Sequence, residues 1–189
     1  MGVHAVVRFD PEAEALAAIA QRDWRRALRV LMQAYGDALY RHCRHMLGDA
    51  DLADDVHQVV FVQAYRDLPG FRGSSSLRTW LYGIARHRCL DAARRSRRWR
   101  SRFEQRDALP EVPDVGRGAV DRMRALELAR ALAELTPKAR NAVLLRYQDG
   151  LTYEQMAIVC GERPATLQAR VTRALPKLRA HLERGGDDT

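Results

Sequence analysis

The sequence shows no strand-like alternation, no internal repeat and no uncharged apolar run near the roughly 18 residues that a membrane-crossing helix needs. Its first ten residues, Met1 to Asp10, lack the basic-then-apolar layout of a secretory leader. These absences lead to the expectation of a cytoplasmic chain with no membrane insertion. Cysteine is scarce. Cys43, Cys89 and Cys160 lie far apart, and none has the CxxC spacing of a metal or redox pair. The group His42, Cys43 and His45 invites a zinc reading. However, neighbouring residues on a helix point about 100° apart and converge poorly on one ion. A buried thiol with surface imidazoles is the preferred reading, and no metal or other cofactor is expected. Also missing are a nucleophile with a paired base, a phosphate-binding glycine loop and a set of metal-spaced carboxylates, so catalytic residues are expected to be none and the chain is not expected to be an enzyme.

A 47% hydrophobic and 30% charged composition supplies enough apolar material for the cores of one large or two small domains in 189 residues. The net charge of +8 is concentrated. Residues 86–102 hold Arg86, Arg88, Arg94, Arg95, Arg97, Arg98, Arg100 and Arg102 against Asp91 alone, nearly the whole surplus in 17 positions. Arginine suits bidentate phosphate contact, so this run reads as a nucleic-acid footprint, with a solvated basic helix end as the alternative.

Apolar spacing is helical almost throughout, which predicts an all-α fold. Asp23 caps a helix carrying Trp24, Leu28, Leu31, Tyr35, Leu39, Cys43 and Met46. Gly48 stops it, and Gly36 is expected to split it in two. A second helix begins near Asp51 with the stripe Leu52, Val56, Val59, Val60 and Ala64. Phe61, Val62 and Tyr65 lie off that stripe, and a partner is expected to cover Phe61 and Tyr65. Pro69 and Gly70 end it. Ser74, Ser75 and Ser76 then offer caps to a third helix with core positions Leu77, Leu81, Ala85, Cys89 and Ala92, flanked by Trp80 and Ile84.

Between Glu104 and Asp121 the prolines, glycines and acids Glu104, Asp107, Glu111, Asp114 and Asp121 mark an acidic linker. A second helical set follows, with Leu126, Leu128, Leu132 and Leu135, then Thr136-Pro137 opening a helix that holds Val143, Leu144 and Tyr147. The expected organisation is residues 1–22 as an N-terminal extension, 23–103 as a first domain, 104–121 as linker, 122–184 as a second domain and 185–189 as a tail. From Thr152 to Leu175 the pattern is helix, short turn at Gly161, and a helix opened by Pro164. This is a helix-turn-helix layout, with Leu167 and Val171 facing inward and Thr166, Gln168, Ala169, Arg170, Thr172 and Arg173 facing elsewhere. Proline removes a helix hydrogen bond, so Pro176 is expected to bend this helix or start a new one.

Three ordered stretches carry a resemblance. Asp54-Asp55-Val56-His57-Gln58-Val59-Val60-Phe61 resembles the polymerase-binding helix of bacterial sigma factors. Phe71-Arg72-Gly73, Thr79-Trp80-Leu81-Tyr82 and Ile84-Ala85-Arg86 resemble the segment that reads and melts the minus-ten promoter element. Leu151-Thr152-Tyr153-Glu154-Gln155-Met156-Ala157, with Thr166-Leu167 and Arg170, resembles the domain that reads the minus-thirty-five element. The chain is thus similar to the extracytoplasmic-function group over about residues 24 to 182, with a sigma-two-like and a sigma-four-like domain.

The resemblance implies a transcription initiation factor whose partners are core RNA polymerase, promoter DNA and an anti-sigma factor. It implies minus-ten contacts from Phe71, Arg72, Gly73, Ser74, Ser75, Ser76, Trp80, Tyr82, Arg86, His87, Asp91, Arg94 and Arg95. For the minus-thirty-five element it implies Thr152, Thr166, Gln168, Ala169, Arg170 and Arg173; from their places on the helix, Arg170 is expected to read a guanine and Arg173 to hold a phosphate. For the polymerase it implies Asp54, Asp55, His57, Gln58, Phe61 and Tyr65. Trp80 and Phe71 each keep a second reading as core packing, and the acids Asp49, Asp51, Asp54 and Asp55 also suit a helix N-terminus. Two alternatives remain at this stage: a DNA-binding regulator independent of polymerase, which has no need of the first two stretches, and a nucleic-acid enzyme.

Overall fold

The structure is a computed structural model that describes residues 10–103 and 119–186, without the side chains at 99–103, 119–121 and 184–186. Most of the linker expected at 104–121, and the side chains of Arg100 and Arg102, therefore lie outside the described residues. Among the described residues there is no strand. The helices are α1 (Pro11–Ala20), α2 (Trp24–Leu47), α3 (Ala50–Asp67), α4 (Leu77–Phe103), α5 (Ala119–Ala133), α6 (Pro137–Val143), α7 (Tyr153–Cys160) and α8 (Pro164–Gly186).

Helices α1 to α4 pack as one unit. Asp23 caps α2 by accepting the Arg26 N–H at 3.0 Å, and Gly48 ends it in the left-handed conformation at φ 69°. The split expected at Gly36 does not occur, because α2 runs unbroken through it. Glycine weakens a helix interior by only about 1 kcal/mol, and buried Leu31 and Leu39 on either side hold the two halves in one core. Cys43 and Cys89 meet in that core, with the Cys89 thiol donating to Cys43 Sγ at 3.6 Å. Leu77, Leu81, Ala85, Cys89 and Ala92 of α4 are buried as their spacing predicts.

Helix α1 was not foreseen within the extension at 1–22. Asp10 caps it, Ala15 and Ala18 are buried against α2, and Glu12 reaches the far side of the unit. There its carboxylate accepts the backbone N–H of Leu77, at the free N-terminus of α4, and the Tyr35 hydroxyl at 3.2 Å. Burial and then the Glu12 charge raise the Tyr35 pKa to about 12.

Helices α5 to α8 form the second unit. Thr136 caps α6 with Pro137 at its first position. After Val143 the chain winds a π turn over Leu144–Gln148. The wider turn changes the register, so Leu144 and Leu145 are buried while Tyr147 stands 61% exposed. Thr152 and Gln155 then make a reciprocal capping box on α7, and Gly161 closes it at φ 64°. Of the leucines that mark α5 and the turn after it, Leu132 and Leu135 are buried and Leu128 is 39% exposed. Pro176 neither ends α8 nor starts a new helix, since the helix continues across it. Pro176 and Thr172 lie on the exposed face, where water can satisfy the carbonyl that proline leaves without a partner.

Candidate partner and promoter interfaces

Helix α3 offers two faces. Ala53, Val56, Val60, Phe61 and Ala64 are buried, while Val59, Val62 and Tyr65 are exposed at 45%, 52% and 39%. At about 100° per residue these three fall in one sector of about 120°. Exposed Asp54, Asp55 and Gln58 border it. Two expectations are corrected here. Val59 leaves the core stripe, and Phe61 joins it at 4% exposure, so Phe61 presents no side chain to a partner. Phe61 is drawn in by an aromatic chain in which the His57 ring meets Tyr40 and Phe61 edge-on, at 5.5 and 5.2 Å. The His57 Nε2 also lies 3.1 Å from the Gly36 carbonyl on α2. His57 is thus mainly a tie between helices. Burial, then hydrogen bonding and charge from Asp54, raises the Tyr40 pKa and couples that acid to the same junction.

The expected minus-ten residues gather around the start of α4. Ser76 is the cap, with its Oγ accepting the Thr79 N–H at 3.0 Å. Gly73, at φ 69°, turns the chain before it. The rings of Phe71 and Trp80 meet at 5.4 Å, tilted by 60°, and both are half-buried. Arg72, Gly73 and Ser74 stay exposed, and Ser75 is half-buried. Beside them lies a cleft of about 460 Å³, with Ser74, Ser75, Trp80 and His87 in its wall. That volume suits a small planar ligand such as a base. Tyr82 is the correction on this face. It is 1% exposed, and its hydroxyl donates to Asp149 at 3.0 Å, so it is closed to DNA in this arrangement. Asp91 is held locally by Arg94 at 2.9 Å and His87 at 3.2 Å. Arg94 and Arg95 project outward one turn further along α4.

In the helix-turn-helix, Leu167 and Val171 are buried as expected. Thr166, Gln168, Ala169 and Arg173 are exposed on α8. The Thr152 hydroxyl accepts the Gln155 N–H at 3.2 Å, so its cap role is shown by geometry. Arg170 is not presented freely. Its guanidinium donates to both oxygens of Glu162, at 2.9 and 2.5 Å, and Arg86 of α4 approaches the same carboxylate to 3.9 Å. The hydrogen bond and charge of Arg170 lower the Glu162 pKa.

Sequence reasoning missed Asp149 and placed the imidazole of His42 on the surface. Asp149 follows the π turn and enters the first unit. The His42 Nδ1–H donates to one carboxylate oxygen at 2.6 Å, the Tyr82 O–H to the other at 3.0 Å, and Arg78 to the backbone carbonyl. Burial pulls the His42 pKa down, but the hydrogen bond and charge of Asp149 outweigh it, and the pKa is raised. Burial, then the Asp149 charge, raises that of Tyr82. His45 pairs similarly with Gln148. Arg140 donates to the Met46 carbonyl at the end of α2 (2.7 Å) and to Leu132 at the end of α5 (2.7 Å), a cation at two helix C-termini. Among the described residues no three His, Cys, Asp or Glu side chains converge as metal ligands, and no helix is long and apolar enough to cross a membrane.

Comparison with known proteins gives matches in chain order. The profile of Sigma-70 region 2 matches residues 31–100, and that of Sigma-70 region 4 matches residues 125–178. A probable RNA polymerase sigma-C factor of Mycobacterium bovis is 36% identical over 181 residues, covering 95% of this chain and 96% of that one. The ECF RNA polymerase sigma factor SigL of Mycobacterium tuberculosis is 32% identical over 165 residues, covering 84% and 90%. Among solved structures, CnrH in complex with the cytosolic domain of CnrY superposes with a TM-score of 0.69 at 25% identity, covering 93% and 99%. The sigma factor RpoE of Bartonella quintana, in complex with the anti-sigma factor NepR, gives 0.68 at 23% identity, covering 80% and 94%, and so supports the fold.

Proposed function

The chain belongs to the extracytoplasmic-function group of RNA polymerase sigma factors, promoter-recognising factors for transcription initiation that bind core RNA polymerase, and from that premise we propose how its own residues divide the work. The exposed stripe Val59, Val62 and Tyr65, bordered by Asp54, Asp55 and Gln58, docks on core polymerase. Phe61 and His57 shape that stripe from beneath. The loop from Phe71 to Ser76, with Trp80 and the adjoining cleft, holds a base unstacked from the minus-ten element, where stacking contributes roughly 1–3 kcal/mol per base. Arg94 and Arg95 follow the phosphates beyond it. Thr166, Gln168, Ala169 and Arg173 face the minus-thirty-five groove, with Arg170 joining them once Glu162 lets go.

We place the first domain at residues 11–103, because α1 packs on α2 and caps α4, and the second at 122–184. The chain acts in the cytoplasm as a binding factor and performs no catalysis of its own. An anti-sigma factor binds it, as NepR binds RpoE in the Bartonella quintana complex. The observation that carries the reading is one chain holding an arginine-rich helix and a helix-turn-helix, in the order of sigma regions two and four. Run-off transcription with core polymerase on a promoter library tests it. Transcripts starting below a shared two-part motif are expected, and initiation no better than core alone would reject the reading.

A further inference from the structure

The region 2 profile begins at residue 31 and α1 ends at Ala20, so that match assigns α1 no task. Yet α1 delivers a carboxylate to the start of α4. A helix leaves its first N–H groups without partners of its own. In α4 the Thr79 N–H donates to Ser76 Oγ at 3.0 Å, and the Trp80 N–H donates to the Ser76 carbonyl at 3.0 Å. The Leu77 N–H finds its acceptor 65 residues away, in the carboxylate of Glu12. The second oxygen of that carboxylate accepts the Tyr35 hydroxyl of α2 at 3.2 Å. Both oxygens are therefore engaged, and the side chain is fixed between two helices. Its negative charge also suits the positive end of the α4 dipole. Ala15 and Ala18, buried against α2, seat the helix that carries it.

The turn that Glu12 holds is the one that walls the cleft. Ser75, Thr79 and Trp80 line that cleft, and Trp80 meets the Phe71 ring at 5.4 Å. Further along α4, buried Leu81, Ala85 and Cys89 anchor the helix in the core. Helix ends fray first, and the effect of a cap is confined to the terminal turn. Loss of the Glu12 bond therefore leaves most of α4 in place and loosens the turn from Leu77 to Trp80.

We propose that Glu12 is a positioning residue for promoter melting, holding the first turn of α4 where Trp80 and the Phe71 to Ser76 loop capture an unstacked minus-ten base. The proposal rests on the functional reading above, in which that cleft takes the base. Glu12 acts through the Leu77 amide and the wall it fixes, not by touching DNA. The docking stripe belongs to α3, Arg94 and Arg95 to the far half of α4, and the groove-facing residues to α8. Polymerase binding and the first encounter with duplex DNA therefore do not depend on Glu12, whereas strand opening does.

The test uses holoenzyme assembled with the full-length chain, on a promoter recovered from the run-off library and carrying 2-aminopurine in its minus-ten element. Fluorescence of that base reads unstacking, anisotropy of a labelled duplex reads the first encounter, and circular dichroism of the free chain reads folding. Glu12→Ala should keep the encounter affinity within about twofold and slow the fluorescence rise about fivefold, the size expected for a lost hydrogen bond at a helix N-terminus. Glu12→Gln keeps an oxygen for the Leu77 N–H but loses the charge and the second acceptor, so its rate should fall between those of Glu12→Ala and the parent. Glu14→Ala removes another acid of α1, whose pair with Arg26 is exposed, and should melt the promoter as the parent does. A folded Glu12→Ala chain with the parent's melting rate would overturn the proposal. So would equal losses in encounter and melting, or a Glu14→Ala chain as slow as Glu12→Ala. If Glu12→Ala fails to fold, Glu12→Gln decides, and the parent's rate in that variant would overturn the proposal equally. A Trp80→Ala holoenzyme that unstacks the base as fast as the parent would instead reject base capture in this cleft, the reading on which the proposal stands.

Discussion

Replacing Arg94, Arg95 and Arg97 together with glutamine changes three outward-facing cations on the second half of α4. Glutamine matches arginine in helix propensity, so α4 should persist. Among the described residues the ion pair lost is Arg94 with Asp91, whose arginine side chain is 63% exposed, and such pairs contribute about 0–1 kcal/mol. Each phosphate contact removed should flatten the slope of log affinity against log salt by about 0.9. Three contacts give about 2.7, and two, if Arg94 stays with Asp91, give about 1.8. Between about 50 and 200 mM salt the parent holoenzyme should therefore lose about 10- to 40-fold more promoter affinity than the variant. The assay is a salt titration of holoenzyme on promoter DNA, repeated on a scrambled sequence. The variant should be weaker on both, because phosphate contacts carry no sequence information. A slope equal to the parent's would mean that these arginines do not reach DNA, and the basic half of α4 would be a solvated helix end.

On α3, Val62→Asp should weaken core polymerase pull-down while thermal unfolding stays within about 1 kcal/mol of the parent, as for other surface changes. Phe61→Ala should instead unfold at lower temperature, losing about 3–5 kcal/mol as buried aromatic truncations do; a stable Phe61 variant with lost polymerase binding would reverse these assignments. In sites selected from random upstream sequence, Gln168→Ala should relax one base position by about 1–3 kcal/mol, whereas Arg173→Ala should lower affinity evenly. The contact between the two units should also depend on pH. His42 meets Asp149 beyond the π turn, Tyr82 on α4 and Asn141 on α6, beside Cys43 on its own helix. Its pKa is raised in the folded chain, so its contribution to stability is full below about pH 6.5 and is lost as pH rises through the raised value. His45, whose pKa burial lowers, subtracts from stability only at the acid end. Thermal unfolding should move to lower temperature as pH rises from about 6.5, and less so in a folded His42→Gln chain; an unfolding temperature that rises over that range would contradict the sign.

Much of the architecture was legible in the chain. Caps at Asp23, Thr136 and Thr152, stops at Gly48 and Gly161, and the α4 stripe from Leu77 to Ala92 are local signals, and local signals survive folding. The inward pair Leu167 and Val171 followed from spacing alone. The misplacements share one cause. Phe61, Val59, Tyr82 and His42 sit at the edges of apolar stripes or beside them, where the sequence admits either side. A neighbour distant in the chain decided three of them: Tyr40, reached through the His57 ring, for Phe61, and Asp149 for Tyr82 and His42.

The sequence by itself therefore determined that this chain is helical and that it carries a concentrated run of arginines, because periodicity, capping and charge depend on residues within a turn or two of one another, while the order of the sigma regions came from the resemblance of its three motifs. Only the tertiary structure decided which face of α3 stays exposed, that Glu12 caps a helix 65 residues away, and that Asp149 binds His42 across 107 residues. Those outcomes depend on which distant surfaces meet, and a buried polar group takes whichever partner the packing brings within about 3 Å.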